Sequence, residues 1–178
     1  VIQGVCKVGG VRRDVTNEFL SGMDKRLESI EAEMQEMVNV FLNDYTMKKR
    51  LIGKGILKPE DAYNLGAVGP VARGSGLAQD VRTSEYLAYQ DIGFKPVTAN
   101  GCDGYARCEV RCKELFQSAE IIHKVIAAMP DGEVAVPVKG NPDGEYFSRS
   151  EQPRGEVIHY LRGNGTKYLT QFRVRTPT

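Results

Sequence analysis

Between Thr16 and Arg50 the apolar residues Phe19, Met23, Leu27, Ile30, Met34, Met37, Phe41 and Tyr45 recur in steps of three and four. That spacing places their side chains on one face of an α-helix. A helix this long with an apolar stripe draws most of its stability from burying the stripe, so the chain must fold around a partner for it. Thr16 or Asn17 stands where an N-cap belongs, and Lys48, Lys49 and Arg50 close the far end, the polarity a helix dipole favours. Asn39, Asn43 and the glycines at 53 and 55 fit a bundle helix better than a coiled coil.

A natural partner follows. Tyr105, Cys108, Cys112, Leu115, Ala119, Ile122 and Ile126 repeat the same stepping, and Pro130 ends it. The stretch between the two helices is rich in turn residues: Gly66, Gly69, Pro70, Gly74 and Gly76. Short helices are expected from Pro59 and over 77–82, then a polar and aromatic loop through Glu85, Tyr86 and Tyr89. Toward the C-terminus, extended pieces are expected at 134–138 and around Tyr146. Asn164-Gly165 reads as a two-residue hairpin turn placing Val157, His159 and Leu161 opposite Phe172, Thr170 and Tyr168, and Glu156 opposite Arg173. The fold class is α+β: two long antiparallel-packed helices with a C-terminal antiparallel hairpin against them, in a single domain over 1–178.

Several function classes are disfavoured. A formal charge of +1 gives no field to gather nucleic acid. No stretch approaches the roughly 18 apolar residues of a spanning helix. The cysteines Cys6, Cys102, Cys108 and Cys112 contain no C-x-x-C pair, so zinc and thioredoxin-type chemistry lack support; Cys108 and Cys112 share a helix face and read as small apolar side chains. The glycines of 66–76 are not followed by the lysine a phosphate-binding loop needs.

Three segments remain: GPVARGSGLAQDVR ending at Arg82, the helix carrying Arg111 and Glu114, and EQPRGEVIHY from Glu151 followed by a terminal RVRTP. In this order they resemble the large subunit of energy-converting [NiFe] hydrogenases and, more distantly, the D-type subunit of respiratory NADH:quinone oxidoreductase, which carries Lys where this chain has Arg154. The resemblance covers about Gly9 to Pro177. It implies an internal piece of that large-subunit fold, an oxidoreductase subunit for reversible H₂ and proton chemistry, or for quinone in the respiratory relative. The implied partners are an iron-sulfur small subunit and membrane subunits, with the complex peripheral to the cytoplasmic membrane. A scaffold that keeps the fold without catalysis is the third reading.

Residue by residue, the resemblance places Arg154 over the bimetallic centre, where a permanently cationic guanidinium donates to iron-bound cyanide. Pro153 would stiffen the approach. Gln152 departs from the usual Ala. The two C-x-x-C pairs that hold nickel and iron in the family are absent, so no metal or other cofactor is expected in this chain alone, while the whole protein would use a Ni-Fe centre or quinone. Spacing alone makes Arg154 a surface ion-pairing residue. Glu151 and Glu156 can be read as proton relays or, more simply, as structural carboxylates. His159 reads as a hydrogen-bonded near-core residue, and His123 as a helix-flank residue with no ligand partner. Arg73, Asp80 and Arg82 are either a buried ionic network shaping a cavity or solvated charges.

Overall fold

The computed structural model describes residues 4–84 and 87–177. Tyr86 and Glu85 of the expected aromatic loop lie outside them. A small hairpin of β1 (Cys6–Lys7) and β2 (Gly10–Val11) opens the chain. The long helix then runs as α1 (Asn17–Asn43), with the Thr16 hydroxyl accepting from the Phe19 N–H at 3.2 Å. It does not reach Arg50 unbroken. Asp44 leaves the helical conformation, and its carboxylate accepts from the Met47 N–H at 2.7 Å, capping a separate α2 (Tyr45–Leu51). A carboxylate offering that bond competes with the helix it interrupts.

Two short helices follow, α3 (Pro59–Asn64) and α4 (Gly69–Arg73). The helix expected over 77–82 is replaced by an extended stretch and one 3₁₀ turn at Val81–Thr83, because the Asp80 side chain accepts from the Arg82 N–H at 3.0 Å. The second long helix, α5 (Gly104–Ala127), starts where Asp103 accepts from the Ala106 N–H at 2.8 Å.

The two long helices pack antiparallel. Tyr105 at the start of α5 donates to the Leu42 carbonyl at the end of α1, at 2.8 Å, and His123 near the end of α5 meets Asp24 near the start of α1. The α1 seam is nevertheless shifted from the apolar row. Leu20, Asp24, Leu27, Glu31, Met34, Val38 and Leu42 are its buried and half-buried residues, whereas Phe19, Met23, Ile30, Met37, Phe41 and Tyr45 are exposed. Two carboxylates occupy the seam because His123 answers both: its Nδ1 lies 2.5 Å from Asp24 and its Nε2 3.1 Å from Glu31. His123 is therefore an interhelix clamp, not a flank residue. Its pKa is raised by the Asp24 hydrogen bond first and the Glu31 bond second. A raised histidine contributes stability that is full below its unfolded pKa and fades as pH rises through the folded one. Thermal unfolding should therefore show a loss of stability across that window, and H123L should flatten it; an unchanged slope in H123L would show that the clamp contributes nothing.

The C-terminal part is a three-stranded antiparallel sheet in the order β3-β4-β5, from β3 (Asp143–Gln152), β4 (Gly155–Asn164) and β5 (Gln171–Arg175). The expected Asn164-Gly165 hairpin is corrected. Asn164 pairs with Asp143 as the last residue of β4, and its side chain accepts from the Thr166 N–H at 3.2 Å and the Thr166 hydroxyl at 2.7 Å, starting a longer loop. His159 consequently faces Val174, and Tyr160 faces Arg173. Glu156 pairs with Arg149 and Arg175 instead of Arg173. The tight turn lies at the other end of β4, where Gln152 pairs with Gly155 and only Pro153 and Arg154 intervene. Residues 134–136 bond to the N-terminal hairpin, with the Val11 N–H donating to Val134 at 2.8 Å and the Val136 N–H to Gly9 at 2.9 Å. The tightest core is Ala99, Ala106 and Val110, where small side chains let α5 approach α4 and the loop before it.

Candidate functional site

The Gly69-Pro70 start of α4 and the Pro153-Arg154-Gly155 turn are in backbone contact. Gly69 has φ +64°, and a Cβ there would lie 2.1 Å from the Arg154 carbonyl oxygen; a Cβ on Gly155 would lie 2.7 Å from the Gly69 nitrogen. Only paired glycines allow two main chains this close. Two sequence motifs some eighty residues apart thus form one joint.

Arg73, at the end of α4, is the hub beneath it. Its Nε donates to Glu114 of α5 at 2.7 Å, and its Nη1 lies 2.9 Å from both Asp80 and Glu151 and 3.2 Å from the Gln79 carbonyl. The side chains are 1% exposed for Arg73, 0% for Asp80 and 4% for Glu151. Asp80 is held a second time by Arg82, through Nε at 2.9 Å and Nη2 at 2.7 Å. The Arg82 guanidinium lies 4.3 Å from the Phe94 ring centroid and 5.8 Å from that of Tyr89, a cation–π placement that substitutes for lost water. Of the two readings open for Arg73, Asp80 and Arg82, the geometry is the buried network.

The network forms one wall of a cavity of about 520 Å³, within the range of small-molecule sites. Phe41, Leu115 and Pro153 supply apolar wall, Cys108 and Cys112 face in from α5, and Arg111 and Ser118 add polar groups. All four cysteines are free thiols, and burial pushes the Cys112 thiol pKa up, with Cys108 adding to it. Burial likewise raises the Glu151 carboxyl, and the Asp80 charge adds to this against the opposing effect of Arg73.

Other expected site residues fall elsewhere. The Arg154 side chain is exposed at the turn, makes no hydrogen bond or ion pair among the described residues, and borders a smaller groove of about 380 Å³ with Thr176 and Pro177. Glu156 stands opposite Glu151 on β4, held by its arginine partners, and does not line the 520 Å³ cavity. His159 stacks on Phe172, ring centroids 6.3 Å apart, and does not line the cavity. Glu114 is not among the site residues expected from sequence, although it closes the hub; its place one turn after Val110 and Arg111, facing the α4 motif, is the signal that points to it. Among the described residues, no three His, Cys, Asp or Glu side chains converge as metal ligands.

Comparison with known proteins bears on what such a joint and cavity belong to. The chain is 35% identical to the membrane-bound hydrogenase subunit alpha of Pyrococcus furiosus over 96% of its own length and 44% of that protein. It is also 35% identical to the D-type subunit of the NADH-quinone oxidoreductase of Dehalococcoides mccartyi, over 96% of the chain and 48% of that protein. Among solved structures, a chain of the membrane-bound sulfane sulfur reductase, an archaeal respiratory membrane complex, superposes with a TM-score of 0.87 at 30% identity, over 95% of this chain and 48% of that one. The chain thus spans about half the length of the relatives it matches. The respiratory-chain NADH dehydrogenase 49 Kd subunit family matches residues 1–141, so with these motifs, this fold and these relatives the chain belongs to that family.

Proposed function

We propose that this chain is part of the large subunit of an energy-converting hydrogenase, which interconverts H₂ and protons in a membrane-associated complex. The observation that carries the reading is the joint itself: the turn bearing Arg154 is fixed by backbone contact to the α4 motif. A short turn with Pro at its first position and Gly after its second fixes the backbone from which the Arg154 side chain projects. Arginine rather than lysine at that position favours the hydrogenase over the respiratory subunit, and the Pyrococcus relative is named as a hydrogenase.

A Ni-Fe centre does not fit the described residues of this chain by itself, since they offer no converging ligand set. In this reading other parts of the whole protein hold it, and this chain is an internal piece. Its residues divide the work: Arg73 ties α4, α5 and β3 together beside the cavity, and Arg154 offers its guanidinium donors on the outer groove to an anionic group. The proposed partners are an iron-sulfur small subunit and membrane subunits, on the cytoplasmic side. Among the described residues no helix is long and apolar enough to cross a membrane.

The cavity supports a second reading, quinone handling by a D-type subunit. Its volume and its Phe41, Leu115 and Pro153 walls suit a flat ring, and Arg111 and Ser118 add polar groups to the lining. Coding sequence on either side separates the two: paired C-x-x-C motifs support the hydrogenase, and a histidine-bearing loop without them supports the quinone enzyme. In the full-length complex, R154K should lower H₂ turnover by about 10²-fold or more with metal content unchanged. Unchanged turnover would remove Arg154 from the mechanism.

A further inference from the structure

We propose that Glu151 is the protonated member of the Arg73 cluster, and the group through which that cluster exchanges a proton with the cavity. Charge balance is the first ground. Two guanidinium groups, Arg73 and Arg82, face three carboxylates, Asp80, Glu114 and Glu151, an excess of one negative charge. Exposed, such an excess would be screened; here the five side chains are at most 14% exposed. A buried uncompensated charge is neutralised by taking a proton instead.

The geometry selects which carboxylate takes it. Asp80 is held by both arginines, at 2.9 and 2.7 Å, so its charge is the best compensated of the three. Glu114 receives the Arg73 Nε at 2.7 Å and is the more exposed of the two glutamates. Glu151 has one short contact, from Arg73 Nη1 to Oε1 at 2.9 Å, and a long one of 3.3 Å from the Val81 N–H to Oε2. Oε2, the more weakly engaged oxygen, is therefore the one that carries the hydrogen.

The surroundings of Glu151 point the same way. From β4, Glu156 stands directly opposite it, and like charges opposite each other on neighbouring strands repel. Glu156 is itself held from the outer side by Arg149 of β3 and Arg175 of β5. From α5, Arg111 borders the same cavity but is exposed and makes no ion pair among the described residues. Cys108 and Cys112, also from α5, face the cavity as thiols. The direction of the Glu151 shift, upward through burial, agrees.

The exchange is a simple proton transfer. The Oε2–H bond of Glu151 breaks, the proton passes to solvent water to form hydronium, and the new carboxylate stays on Arg73; hydronium returns the proton in the reverse step. Only the purpose of this exchange rests on the proposed redox function; the bound proton does not.

The test is infrared spectroscopy of the 178-residue chain across pH. A carboxylic-acid C=O band from a buried group should be present at neutral pH, shift in D₂O, vanish on alkalinisation, be lost in E151Q and survive in the surface control E60Q. Unfolding adds a second readout. A carboxyl with a raised folded pKa stabilises fully below its unfolded pKa and loses that contribution as pH rises through the folded one, so E151Q should be flatter with pH across that window. No acid band at neutral pH overturns the proposal, as does a band that persists in E151Q. Should E151Q not fold, the D₂O shift of the band and its loss on alkalinisation in the unsubstituted chain decide the matter, and a band lacking either property overturns the proposal. A band without any hydrogenase or quinone activity in the full complex would leave this inference standing and remove the functional reading alone.

Discussion

Replacing Arg73 with methionine is expected to destabilise the fold by about 3–5 kcal/mol, the range for removing one partner of a buried ionic group. Methionine matches much of the arginine stem, so the loss measures the guanidinium rather than a cavity. Asp80, Glu114 and Glu151 would then face one another with Arg82 as the remaining cation of the cluster. Against a typical total of about 5–15 kcal/mol, that is a large fraction of the stability available. The deficit should shrink on acidification, because protonation relieves carboxylates that have lost their cation. Urea unfolding of the variant at neutral and acid pH checks both the size and the trend. A midpoint equal to that of the unsubstituted chain would mean that the cluster is solvated.

The second large effect belongs to Gly69. Alanine there has two separable costs. The left-handed backbone alone costs about 1–2 kcal/mol for a residue with a Cβ. The collision adds more, because the atom met at 2.1 Å is the Arg154 carbonyl oxygen, which can move only by lifting the whole hairpin turn. Overpacking of this kind adds about 1–3 kcal/mol. Gly66 supplies the internal control: its φ is +66°, nearly that of Gly69, and a Cβ there would meet nothing within 4 Å. G66A should therefore show the backbone cost by itself, and G69A should exceed it by the cost of parting the two turns. Equal effects in the two variants would show that the turns are not in contact.

How far the sequence reveals this arrangement depends on the kind of signal. Periodicity locates both long helices, and the caps Thr16 and Asp103 are local chemistry that the sequence displays openly. Periodicity misplaces the α1 seam because it scores apolar residues, while Asp24 and Glu31 occupy the seam only by virtue of His123, about a hundred residues away. The Asn-Gly signal fails for a similar reason. A two-residue turn competes with a longer loop, and β3, an equal partner along the whole of β4, decides the register by pairing as far as Asn164. Pro153-Arg154-Gly155 stands out in the sequence as a motif before it stands out as the turn of a hairpin, although proline then glycine carries turn chemistry.

The site is legible in parts. Arg73, Asp80, Arg82 and Glu151 can be named because they stand in motifs, but the choice between buried network and solvated charges needs three-dimensional distances. Glu114 is visible in the α5 motif but is given no role there, because a glutamate on a helix is ordinarily a solvated residue. The Arg154 environment is the least like what the resemblance implies: its backbone is fixed at the joint, while its side chain reaches the outer groove and not the 520 Å³ cavity. This is compatible with the proposed role where the rest of the large subunit covers that groove.

All of this depends on one arginine side chain, sequestered from water, joining the α4 motif to α5 and to the strand before the turn. Nuclear magnetic resonance of the arginine Nε–H groups reads that state without intermediaries, with Arg73 assigned by its disappearance in R73K. A resolved Arg73 Nε–H that exchanges with water far more slowly than the exposed Arg154 group is expected. An Arg73 signal that exchanges as fast as Arg154 would contradict the buried hub.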